Sequence, residues 1–113
     1  GCDILVKGNA GEYAGSSFSG RNLIIKGNAG NNAGNSMKEG MLRIYGDAGI
    51  DLGRWMKGGV IHVRGNVGAK VGDWMHGGAI HVDGEIESIG DVKGGKIFHK
   101  GKLIVDKPDV KRK

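Results

Sequence analysis

The stretch Gly53-Arg-Trp-Met-Lys-Gly-Gly-Val-Ile-His-Val-Arg-Gly65 recurs one period later as Gly72-Asp-Trp-Met-His-Gly-Gly-Ala-Ile-His-Val-Asp-Gly84. The same phrase reaches back through the chain: Gly8, Gly27, Gly46, Gly65 and Gly84 follow one another at a constant 19-residue interval. Each leading glycine is followed by a second (Gly11, Gly30, Gly49, Gly68) and a third (Gly15, Gly34, Gly53, Gly72), and another (Gly20, Gly40, Gly59, Gly78) precedes the next apolar run. An internal period of this length is the mark of a repeat architecture, in which each unit buries its apolar face only against its neighbours.

The apolar residues before each leading glycine alternate with period two: Ile4 and Val6, Leu23 and Ile25, Leu42 and Ile44, Ile61 and Val63, Ile80 and Val82. That is a strand with one buried face. Further small or apolar residues recur at fixed offsets (Ala29, Ala48, Val67; Ala33, Leu52, Val71; Met37, Met56, Met75), so each repeat aims five side chains at one interior. So short a unit leaves no room for a crossover helix, and helices tolerate this density of glycine badly. The pattern predicts an all-β fold, a parallel β-helix of five to six coils with a 19-residue repeat, right-handed by the twist rule for parallel connections. Each coil is expected to hold three short strands joined at glycine-permitted corners, with strands at 3–7, 22–26, 41–45, 60–64 and 79–83 in one parallel sheet.

Composition narrows the functional classes. Of 113 residues 24 are glycine and one is proline, without the triplet period of collagen. No apolar run is long enough for a membrane span, no signal peptide is visible, and the chain reads as cytoplasmic. The single cysteine, Cys2, provides neither an internal disulfide nor a zinc site. The net charge is +5, of which +3 falls on Lys107, Asp109, Lys111, Arg112 and Lys113. Residues 1–106 are accordingly read as the β-helix domain and 107–113 as a basic tail, and nucleic acid is not the first partner to consider.

Stacking turns every offset into a ladder. Asn9, Asn28, Asp47 and Asn66 are expected at corners, bonding neighbouring backbone and tolerating a left-handed conformation. Asp51 with Lys70, Arg54 with Asp73 and Arg64 with Asp83 are expected as cross-coil ion pairs. His62 and His81 share an outward offset and are the candidate metal pair, although a zinc site needs a third protein ligand that nothing nearby supplies. His76 and His99 are expected to face solvent. Trp55 and Trp74 replace Ser17 and Ser36 at their offset, which predicts an outward aromatic patch and makes them the candidate interface residues.

Gly90 to Lys96 matches the start of a phosphate-binding loop, but Ile97 stands where Ser or Thr must hold magnesium and no helix follows. No grouping of Ser, Cys, His or carboxylates reads as a catalytic constellation, and no cofactor-binding residue is assigned to this chain.

The repeats quoted above, together with Gly27-Asn-Ala-Gly-Asn-Asn-Ala-Gly-Asn-Ser-Met-Lys-Glu-Gly-Met-Leu-Arg-Ile-Tyr-Gly46, resemble the GXGXG repeat family over about residues 3–90. Two branches are similar: the GXGXG subunit of tungsten or molybdenum formylmethanofuran dehydrogenase, which is archaeal and the nearer in phrase, and the C-terminal domain of the glutamate synthase large subunit. The resemblance implies a non-catalytic structural subunit of a multisubunit redox enzyme of one-carbon metabolism, with tungsten or molybdenum pterin and iron–sulfur centres in partner subunits. A standalone module for an anionic ligand or nucleic acid is the alternative. The N-terminal face, from Asp3–Ile4, and the tryptophan strip are the expected contact surfaces, either to a larger subunit or to another copy of the chain. The looser stretch Glu85–Gly101 with the strand Leu103–Val105 reads as a C-terminal stop.

Overall fold

A computed structural model describes residues 3–108. Seven strands, β1 (Asp3–Val6), β2 (Asn22–Ile25), β3 (Met41–Ile44), β4 (Val60–Val63), β5 (Ala79–Val82), β6 (Gly95–His99) and β7 (Lys102–Lys107), form one sheet in chain order. From β1 to β5 every pairing is parallel and advances by one repeat: Ile4 lies beside Leu23, Leu23 beside Leu42, Leu42 beside Ile61 and Ile61 beside Ile80. Parallel pairing between consecutive strands requires the chain to return after each one. The described residues contain no helix, so the return is a coil, and the molecule is a parallel β-helix of about five turns.

The interior is the set of offsets expected to fill it. The third coil buries Leu42, Ile44, Ala48, Leu52 and Met56, and the fourth buries Ile61, Val63, Val67, Val71 and Met75. Full burial of a large aliphatic side chain is worth about 1.5–3 kcal/mol. Repeated in every coil, this term offsets the conformational entropy lost by so much ordered glycine. No polar or charged residue is buried among the described residues.

Four expectations need correction. Each central coil has one strand, not three, and that strand ends a residue early, at Val6, Ile25, Ile44, Val63 and Val82. On the other two sides the coils are joined by single bonds, such as Ala29 N–H to the Asp47 carbonyl (2.9 Å) and Asn32 N–H to the Ile50 carbonyl (2.9 Å), because left-handed residues interrupt the extended backbone.

The leading glycines do not turn corners either. Their backbone is ordinary, but a Cβ on Gly65 would run into the Asp47 side chain and the Gly46 carbonyl. Close approach of stacked coils explains that column.

The Asn ladder is real but not left-handed. The Oδ1 atoms of Asn9, Asn28, Asp47 and Asn66 each accept the backbone N–H of the residue stacked above, Asn28, Asp47, Asn66 and Glu85, at 2.8 Å. The left-handed non-glycine residues instead form two other ladders, Tyr13–Asn32–Asp51–Lys70 and Ser17–Ser36–Trp55–Trp74.

The expected ion pairs Asp51–Lys70, Arg54–Asp73 and Arg64–Asp83 are absent among the described residues. Long side chains on exposed ladders gain little from pairing and take other contacts: Asp83 meets His62, and Arg64 lies over the Tyr45 ring.

The last coil is shorter. Ile97 pairs with Ile80, two places short of a full repeat, and Val92 is buried where the earlier coils place methionine. The extra strand is Lys102–Lys107, antiparallel to β6. Lys107, expected to open the basic tail, is the end of that strand and donates to the Val92 carbonyl at 2.9 Å. Cys2 and the tail residues 109–113 lie outside the described residues.

Candidate functional site

Trp55 and Trp74 sit at the corner ladder that begins Ser17–Ser36, with φ values of 60° and 58°. A left-handed non-glycine residue costs about 1–2 kcal/mol. The coil-to-coil bonds hold it: Ser36 N–H donates to the Arg54 carbonyl (2.9 Å), Trp55 N–H to Asp73 (3.1 Å) and Trp74 N–H to Asp91 (2.8 Å). Serine adopts the same conformation two coils earlier, so the strain belongs to the corner and not to the tryptophans.

What the tryptophans add is a surface. Their rings stack with centroids 5.3 Å apart and planes 12° apart, and the His76 imidazole stacks on Trp55 at 5.6 Å and 14°. Lys93 Nζ lies 4.6 Å from the Trp74 ring centroid while pairing with Asp91 at 2.9 Å. That bond to Lys93 and its charge hold the Asp91 carboxyl below its usual range. Trp55 and Trp74 remain 40% and 39% exposed, so about two-fifths of each residue is offered to solvent after stacking. Arg54 Nε and His76 Nδ1 are buried without a hydrogen-bond partner among the described residues. A stacked aromatic pair edged by an arginine, a histidine and a lysine has the composition of a protein-binding patch.

His76 is therefore half-buried in the strip and does not face solvent as expected. His99 is also half-buried, its Nε2 lying 2.9 Å from the Gly84 carbonyl oxygen. Both departures share a cause: each residue stands on a coil that the neighbouring coil covers.

The candidate metal pair is adjacent as predicted, with His62 and His81 ring centroids 6.0 Å apart and planes at 71°. Each ring is engaged elsewhere. His62 Nε2 lies 3.0 Å from Asp83 Oδ2, and His81 stacks on Phe98 at 4.3 Å and 1°. Burial, and next the His62 charge, hold the His81 pKa below the usual imidazole value, against an opposing pull from Asp83. No group of three or more His, Cys, Asp or Glu among the described residues is placed to hold a metal ion. No helix among them is long and apolar enough to cross a membrane.

Sequence reasoning missed a second cluster, on the outer sheet face around Tyr45. Its signal was available: Lys26, Tyr45 and Arg64 share one 19-residue offset, and Arg43 is two residues before Tyr45 on the same strand face. Compared with known protein families and with curated proteins, the chain matches none.

Proposed function

We propose that this β-helix is a non-catalytic scaffold, a structural subunit or domain that docks onto a larger redox enzyme through the Trp55/Trp74 strip. The observation that carries this reading is the pair of stacked, two-fifths exposed indoles at a ladder where earlier coils carry serine. Large aromatic rings left in water are the residues that anchor protein interfaces. The repeat's resemblance to the GXGXG subunit of formylmethanofuran dehydrogenase and to the glutamate synthase C-terminal domain supplies the kind of partner. Tungsten or molybdenum pterin and iron–sulfur centres would belong to that partner and not to this chain.

The test is affinity purification of the tagged chain from its source cells, with metal and flavin analysis of what co-elutes in stoichiometric amount. A partner carrying pterin, iron–sulfur or flavin centres supports the proposal. Replacing both tryptophans by the serine of the earlier coils, Trp55→Ser with Trp74→Ser, is expected to weaken that association at least tenfold with little change in Tm. Undiminished association would overturn the strip as the contact surface.

A further inference from the structure

Lys26, Tyr45 and Arg64 occupy consecutive coils on the outer face of the sheet. Lys26 Nζ stands 4.3 Å from the Tyr45 ring centroid and Arg64 Cζ 5.4 Å from it. Arg43 lies on the same strand face as Tyr45, and its guanidinium is poorly satisfied: Nε is buried without a partner, and Nη2 reaches only the Met41 sulfur at 3.5 Å. Among the described residues no carboxylate forms an ion pair with Lys26, Arg43 or Arg64. Asp83, the next acid in the Arg64 column, is held by His62.

Arg43 and Arg64 are diagonal neighbours across β3 and β4, a separation of about 7–8 Å at the backbone that long side chains span readily. Two guanidinium forks and an ammonium around one hydroxyl match the shape and charge of a tetrahedral oxyanion better than that of a single carboxylate. The Tyr45 ring is flanked by Lys26 and Arg64, which leaves it poorly placed as the stacking platform that a single-stranded nucleic acid requires.

We infer that Arg43, Arg64 and Lys26, with the Tyr45 hydroxyl, form a binding site for a phosphoryl or sulfuryl group. The site lies on the sheet face, away from the tryptophan corner, and stands whether or not the scaffold reading does. Because Lys26 and Arg64 are exposed, binding weakens as salt rises.

The test is a titration of the ¹⁵N-labelled chain at low salt with inorganic pyrophosphate and, separately, with a phosphoserine peptide. Saturable shifts centred on β2–β4 around Tyr45 are expected. Arg43→Gln with Arg64→Gln is expected to weaken binding at least tenfold, while Lys38→Gln with Lys57→Gln, which removes equal charge elsewhere, changes it less than twofold. If the arginine pair fails to fold, Lys26→Gln alone must weaken binding at least threefold. Tighter pyrophosphate binding identifies a free metabolite as the source, and tighter peptide binding a phosphorylated partner; either supports the site. Unsaturable shifts, or equal losses from the arginine and lysine pairs, would overturn it.

Discussion

The coils between β2 and β5 and the coil between β5 and β6 solve the same stacking problem by different means. In the regular coils each strand advances by one full repeat, methionine fills the corner of the core, and an Asn or Asp side chain caps the next backbone N–H. In the last coil the advance falls two places short, Val92 replaces methionine, and β7 runs back antiparallel to cover the edge of β6. The salt bridges of that end, Lys93–Asp91, Lys96–Asp106 and Lys100–Glu85, do what the side-chain ladder does elsewhere. The regular part is thus held by identical contacts repeated, and the terminal part by individual ones that stop the repeat. A closed sheet edge matters because an unpaired strand invites further pairing.

The contrast breaks most sharply at the methionine column. Met56 has no solvent exposure, so Met56→Lys places a charge in an interior with no polar partner. The expected cost is several kcal/mol, on the order of a small domain's whole stability. Val92→Ala, at the equivalent place in the shorter coil, should cost less, about 1–3 kcal/mol. Urea melts of the two variants decide it; a Met56→Lys chain as resistant to urea as the parent would show that the column is not the core.

The glycine column gives the next largest effect. Gly65→Ala drives a methyl group into the Asp47 side chain and the Gly46 carbonyl, whereas a Cβ at Gly8 meets nothing within 4 Å. Backbone cannot yield as a side-chain tip does, so Gly65→Ala is expected to cost about 2–4 kcal/mol. Gly8→Ala should be close to neutral. Equal Tm changes in the pair would refute close approach as the reason for the column. Smaller again is Asn66→Ala, which removes the acceptor for the Glu85 N–H at the junction of regular and last coils. That exposed bond is worth about 0.5–1.5 kcal/mol.

Much of this was legible because the repeat makes each position testable against its equivalents in the other coils. Leu42, Ile44, Leu52 and Met56 could be placed inside from period and offset alone. Three things were not legible. A left-handed corner accepts Ser17, Asn32, Asp51 or Trp55 alike, so residue type does not announce it. Charges at equal offsets, such as Arg64 and Asp83, look like pairs in the sequence, yet an aromatic ring or a histidine nearby competes for them. Spacing also cannot separate a glycine needed for its φ from one needed for its missing side chain, and Gly53 and Gly65 differ in that respect.

The smallest expected effect tests the seam between the two regions. His81 stands on the last regular strand, with Phe98 of the shortened coil stacked on one side and His62 on the other. Burial, then the His62 charge, lowers its pKa below 6.5. The folded chain therefore favours neutral His81, and near pH 6 the unfolded chain binds more protons there. This contribution is fully present above the unfolded value and is lost as pH falls through the lower folded one. Glu85 and Asp91, whose carboxyls Lys100 and Lys93 hold below their usual range, lose theirs in a separate, more acidic window. Acidification from pH 7.5 to 5.5 should lower Tm by a few degrees at most, and His81→Gln should flatten that slope while leaving the drop below pH 4 in place. A slope unchanged in His81→Gln would place the proton uptake elsewhere and separate the seam from the pH response.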